Sequence, residues 1–240
     1  MGPTHCGIVF PETKIELCIE TAKFNTRFMK LQDRFPQGIR NIIFDIGNVL
    51  VDLDIPATLQ AFQELSIGGL HPDDIHPHQT GFFLDYELGW LDDQGFLAGI
   101  RQAYDCSGVT DRQIFDAWNA MLKDPEPTRF DLIRQLGHNY RLFVLSNTNP
   151  QHINHLNTRL KAVFGGMELE SLFEHCFYSH ELHLRKPDVG IYRQVIAQTG
   201  IIPQQTLFID DNACNFSGAK PLKLITHHLT NGEHLRELFH

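Results

Sequence analysis

The sequence predicts an α/β fold, a doubly wound parallel sheet carrying a small helical domain as an insertion. Three observations lead there. Short apolar runs of strand length recur along the chain, segments of helical period with readable caps lie between them, and the gap after the first run is too long for a simple crossover.

The first run, Ile42–Phe44, ends abruptly at Asp45, and Asp45–Asn48 reads as a turn through Gly47. A carboxylate at the tip of a buried strand costs free energy unless it meets a ligand or an ion. Further runs follow at Arg141–Ser146, His175–Ser179, Thr206–Asp210 and Lys223–His228. Among the helical segments between them, Asn149 with Pro150 supplies an N-cap and a first-turn proline, and Gly137 and Gly200 stand where helix C-terminal glycines belong. Between the first two runs, Pro56 and the "DPEP" of Asp124–Pro127 flank amphipathic stretches such as "DRQIFDAWNAML". These predict a helical bundle over the carboxyl ends of the strands, where such sheets gather their ligands. The organisation that follows is an α/β core over 39–54 and 129–240 and a helical cap over 55–128. Residues 1–38, with scattered prolines and a weak helical period, read as a partly disordered N-terminal appendage in which Met29 is a second candidate start.

Composition narrows the class of function. The chain is 42% hydrophobic and 20% charged, ordinary for a globular protein with a large core. Its net charge of −9 comes without a basic stripe, which argues against nucleic acid as a partner. No apolar run approaches the roughly 18 residues of a membrane span and no secretion signal is visible, so a cytoplasmic location and no membrane partner are expected. The five cysteines are odd in number and fit no paired ligand spacing, which favours reduced thiols. Cys214 reads as a small packing residue.

Laid side by side, the strand ends bring Asp45, then Ser146 and Asn147, then Lys186 in "LRKPD", then Asp210 and Asp211 in "FIDDNACN". A nucleophile candidate, a hydroxyl, a cation and paired acids thus arrive at one crevice. With these motifs the sequence resembles the haloacid dehalogenase-like hydrolase superfamily, through "FDIGNVL", "VLSN", "LRKP" and "FIDDNACN". The resemblance runs from about Ile42 to the C-terminus, and the insertion falls where that superfamily carries its type 1 helical cap on a Rossmann-like core. Within it, "DIGNVLVD", "LSNTN" and "RKPDVGIY" look most like a branch of sugar-phosphate phosphatases that includes bacterial glucose-1-phosphate phosphatase.

The resemblance implies Asp45 as nucleophile, forming an aspartyl-phosphate on a small phosphate monoester, with Ser146, Asn147 and Lys186 holding the phosphate. It implies Mg²⁺ on Asp45, the Gly47 backbone carbonyl, Asp210 and Asp211, with Asn215 orienting the acids. Independently, a dianionic ester repels an attacking carboxylate, so a cation must bridge them, and carboxylates suit a hard ion such as Mg²⁺. Gly47 departs from the pattern. Most phosphatases of the superfamily have an aspartate there as general acid and base, and glycine can be neither. Either the leaving group tolerates this, as an anomeric oxygen would, or another group replaces the acid; Asp54 is the nearest, competing with a role as helix cap.

Three rival readings stand beside this one. A 2-haloacid dehalogenase needs no acid at Gly47, but two adjacent carboxylates near Asp45 call for a cation that those enzymes lack. A phosphomutase leans harder on the missing acid, and a non-catalytic binding protein would have kept the fold alone. His71, His76 and His78 with Asp73 and Asp74 read as a solvated loop, since the interleaved prolines prevent helical ligand spacing. His180 and His183 read as polar loop residues near the site, and His227, His228, His234 and His240 form no ligand pattern. Trp90 and Trp118 read as cap-core residues, with "YELGW" of Tyr86–Trp90 the stretch expected to govern specificity. A monomer or weak homodimer is expected.

Overall fold

Five strands, Asn41–Phe44 (β1), Arg141–Ser146 (β2), His175–Tyr178 (β3), Thr206–Asp210 (β4) and Ile225–His228 (β5), pair in the order β3-β2-β1-β4-β5, every pairing parallel. This is a computed structural model, describing residues 35–71, 81–230 and 234–239. Most of the expected appendage, and His76, His78, Asp73 and Asp74, therefore lie outside the described residues. The strand order reverses beside β1, so the crevice at its carboxyl end is where a ligand belongs in such a sheet.

Both faces of the sheet are covered, which is why the strands read as near-continuous apolar runs. On one face Ile42, Phe44, Val144 and Ile209 pack with Phe130, Ile133, Ile153 and Leu160. The last four come from helices Pro127–Leu136 and Pro150–Val163. On the other face Ile43, Phe143 and Phe208 pack with Ile191, Tyr192 and Val195 of helix Val189–Thr199. Each such fully buried side chain contributes about 1.5–3 kcal/mol. Asn149 caps its helix by accepting from the His152 N–H at 3.0 Å, ahead of Pro150. Gly200 ends its helix with φ 64°, whereas Gly137 ends one in right-handed geometry, so the glycine there is not required by its backbone.

Between β1 and β2 the described residues also form helices Ile55–Glu64 (α1), Gly81–Glu87 (α2), Asp93–Ala103 (α3) and Asp111–Asn119 (α4). They have their own apolar centre, in which Trp118 stacks on Phe83 and packs against Phe96. Two chain segments connect this layer to the sheet, and they are bonded to each other. The Asp54 N–H donates to the Met121 carbonyl at 2.8 Å, and the Lys123 N–H to the Asp52 carbonyl at 3.0 Å. No described helix is long and apolar enough to cross a membrane.

Candidate active site

Register brings the strand-end acids together. Phe44 pairs with Ile209, so Asp45 and Asp210 emerge side by side, and the Asp45 N–H still bonds the Ile209 carbonyl at 3.0 Å. Phe44 also pairs with Val144, which sets Ser146 at the neighbouring strand end. Asp45, Ser146 and Asp210 are all buried.

Lys186 joins these acids from a loop. Its Nζ lies 2.9 Å from Asp45 Oδ1 and 2.7 Å from Asp210 Oδ2, and the side chain is 1% exposed. Burial alone would lower the ammonium pKa, but Asp210 and Asp45 outweigh burial and raise it, so Lys186 stays charged. Burial pushes the Asp45 carboxyl up to about 7, with Lys186 opposing and Asp210 and Asp211 adding to the rise. Asp45 Oδ1 also accepts from the Ile46 N–H at 2.7 Å, so Oδ2 is the oxygen outside both contacts.

The loop carrying Lys186 is fixed by Asn147. Its side-chain oxygen accepts from the Lys186 N–H at 2.8 Å, and its Nδ2 donates to the Lys186 carbonyl at 3.0 Å. Asn215 does the corresponding work for Asp210, donating from Nδ2 to both carboxylate oxygens at 2.9 Å. With Lys186 and the Asn212 N–H, Asp210 accepts four hydrogen bonds. Its orientation is fully determined.

Asp211 is held differently, by a residue that the sequence reading passed over. Asn48, with φ 51°, donates from Nδ2 to Asp211 Oδ2 at 2.8 Å and accepts from the Leu53 N–H at 2.9 Å. Asparagine tolerates this left-handed backbone better than most residues, a local signal that was available in the sequence. Oxygens of Asp45, Asp210 and Asp211 come within 4.8 Å of one another, close enough for one cation. Gly47 follows Asp45 in the turn and lines the same cavity of about 670 Å³. So do Ser146, Asn147, Lys186, Asp211 and Asn215, together with Glu87 and Arg185.

The sequence matches the family model for haloacid dehalogenase-like hydrolases over residues 39–222. The chain belongs to that family. It is 30% identical over 201 residues to D-ribitol-5-phosphate phosphatase of Bacteroides thetaiotaomicron, covering 83% of this chain and 96% of that protein. A crystal structure of a haloacid dehalogenase family enzyme from the same organism, in complex with magnesium and inorganic phosphate, superposes with TM-score 0.77 at 31% identity. That match covers 85% of this chain and 100% of the other. A predicted haloacid dehalogenase-like hydrolase from Porphyromonas gingivalis gives TM-score 0.72 at 32% identity over 82% of this chain and 93% of the other.

Other residues singled out in this hydrolase's sequence divide between the site and its surroundings. Asp54 is the N-cap of α1, accepting from the Ala57 N–H at 3.3 Å, and it does not line the cavity. Cys214 is exposed and lines the cavity, which corrects its reading as a packing residue: the short turn after Asp211 turns its side chain outward. Trp118 is buried, but Trp90 is 61% exposed, so the expectation of a core residue fails there. Of the "YELGW" stretch, Glu87 reaches the cavity. His180 and His183 do not line it; their Nδ1 atoms bond the Thr148 and Leu88 carbonyls. His228 Nε2 donates to the Asp211 carbonyl at 2.8 Å.

Proposed function

We propose that this hydrolase is a Mg²⁺-dependent phosphatase of small sugar or polyol phosphates, working through an aspartyl-phosphate on Asp45. The observation that carries the reading is Lys186 Nζ lying between Asp45 and Asp210, beside Asp211, at the floor of a cavity large enough for a small ester. The Bacteroides thetaiotaomicron relatives, one named for D-ribitol-5-phosphate and one crystallised with magnesium and phosphate, support it.

The donor set fits a divalent cation. Lys186 pairs with two of the three carboxylates, Asp45 and Asp210, so the cluster keeps an excess of negative charge, and its oxygens are hard ligands. Asp45, Asp211, Asp210 and the Gly47 carbonyl would hold Mg²⁺. When bound, the ion offsets the charge that keeps a carboxylate and a phosphate dianion apart.

The chain's own residues supply the rest. Ser146 and the Asn147 N–H hydrogen-bond the phosphoryl oxygens, and Lys186 balances their charge while holding Asp45 Oδ1. Asp45 Oδ2 attacks phosphorus; the ester P–O bond breaks and the leaving oxygen takes a proton from water. Water then attacks the aspartyl-phosphate, releasing inorganic phosphate and restoring the carboxylate. The helical insertion acts as a cap that excludes bulk water during both steps.

A dehalogenase would use the same Asp45 on carbon, and nothing in its chemistry calls for Asp211 beside it. Release of phosphate from sugar phosphates, abolished by EDTA and by Asp45→Asn, is the expected result. Halide release from 2-haloacids without Mg²⁺ would overturn the phosphatase reading.

A further inference from the structure

Resting on the phosphatase reading, we infer that Glu87, set against Arg185, is the residue by which the cap selects esters whose organic part is hydroxylated and uncharged.

Glu87 ends α2, yet it is 6% exposed among apolar neighbours such as Phe83 and Tyr86. A buried carboxylate contributes little to stability compared with an apolar residue of similar volume, so its presence needs another cause. Its Oε1 lies 2.9 Å from Arg185 Nε as an ion pair and accepts no hydrogen bond among the described residues. Burial raises the Glu87 pKa, while Arg185 and Lys186 oppose the rise. Glu87 lines the cavity, and a carboxylate there has acceptor capacity that a hydroxyl can satisfy.

Its position is determined by the backbone around it. The Ser179 hydroxyl donates to the Glu87 carbonyl at 2.7 Å, and His183 Nδ1 donates to the Leu88 carbonyl at 2.8 Å. Gly89, with φ 66°, packs so closely on His180 that a Cβ there would collide with its carbonyl oxygen. Three consecutive cap residues are thus docked on the core loop that leads to Lys186.

Charge then orients the substrate. The phosphate belongs at Lys186, and the Glu87 carboxylate, which lines the same cavity, disfavours a second anion in it. Arg185 alone would attract such an anion, and Glu87 offsets it at 2.9 Å. Hydroxyl groups suit this carboxylate, to which they donate.

The test compares D-ribitol 5-phosphate, p-nitrophenyl phosphate, which has no hydroxyls, and 3-phosphoglycerate, which carries a second anion. Glu87→Gln is expected to lower kcat/KM for D-ribitol 5-phosphate about 10- to 100-fold while changing p-nitrophenyl phosphate less than about threefold. It should also raise the relative rate on 3-phosphoglycerate. Glu87→Asp, which keeps the charge, should fall between the two. Unchanged selectivity in Glu87→Gln overturns the assignment alone, as does an equal loss on all three esters in both variants, the mark of a docking role. Wild-type protein that hydrolyses no monoester overturns the phosphatase reading and this assignment together.

Discussion

A Cβ built on Gly47 would stand 2.8 Å from Leu53 Cδ1, so the Leu53 side chain fills the space that a side chain at residue 47 would enter. An apolar group from the connecting segment, where Leu53 bridges Leu122, thus stands where the family resemblance would place a general acid. Backbone strain is no obstacle to a substitution, because φ at Gly47 lies outside the left-handed region, and the contact is with the tip of a flexible side chain.

Gly47→Asp should therefore raise turnover of esters with poor leaving groups, and Gly47→Asp combined with Leu53→Ala should raise it further. The ceiling is the factor of about 10² to 10⁴ that a positioned acid supplies. The ratio of kcat/KM for glycerol 3-phosphate to that for p-nitrophenyl phosphate measures the gain. No change in that ratio in either variant would mean that residue 47 does not face the leaving oxygen.

Asn48 should govern the affinity for Mg²⁺ without touching the ion, since its amide orients Asp211. Asn48→Gly keeps the left-handed backbone accessible and removes the amide. The expected effect is a rise of about 10- to 100-fold in the Mg²⁺ concentration for half-maximal activity, the usual consequence of losing a residue that orients a ligand. Titrating activity against Mg²⁺ gives the answer, and an unchanged midpoint would count against the role.

How far the sequence disclosed the site depends on how far apart the interacting residues lie. Asp45, Ser146 and Asp210 were legible because each ends an apolar run, and a parallel sheet brings such ends together whatever the details of packing. Lys186 was legible from its place between two runs and from the resemblance its motif carries. Asn48 was not, because its partner Asp211 lies 163 residues away and an asparagine in a turn already has a local explanation. Glu87 was hidden for a similar reason: a glutamate at a helix end reads as solvated until Arg185 is set beside it. Cys214 and Trp90 were misjudged because residue type says which side chains favour burial on average, while the direction of one short turn decides where each points.

His152 makes the contact between the helical layer and the sheet domain sensitive to acid. Its ring stacks on Trp118 of the cap at 5.1 Å, and Nε2 donates to the Trp118 carbonyl at 3.3 Å. Asn149 Nδ2 lies 3.1 Å from Nδ1, which suits a neutral ring that accepts there. Burial lowers its pKa to about 4, against a hydrogen bond to Trp118 that raises it and with His155 adding to the fall. A histidine held neutral contributes stability above its unfolded pKa near 6.5, and that contribution is lost as pH falls toward 4. The loss is on the order of 3 kcal/mol over that window. Thermal unfolding from pH 7 to pH 4 should show a steeper decline for wild type than for His152→Gln; parallel curves would remove His152 as the cause.

Asn147 should matter more for catalysis than for folding. Its side chain makes both hydrogen bonds to the Lys186 backbone, so Asn147→Ala frees the loop that sets Nζ between Asp45 and Asp210. Two lost hydrogen bonds cost about 1–3 kcal/mol in stability. The effect on kcat should be larger than that stability loss suggests, because displacing a catalytic group by about 1 Å can cost on the order of 10²-fold. Asn147→Asp offers a control, since it keeps the acceptor for the Lys186 N–H and loses the donor to its carbonyl. Its kcat should lie between those of Asn147→Ala and wild type at saturating Mg²⁺. If Asn147→Ala instead raises KM with kcat intact, the residue serves phosphate binding and not the placement of Lys186.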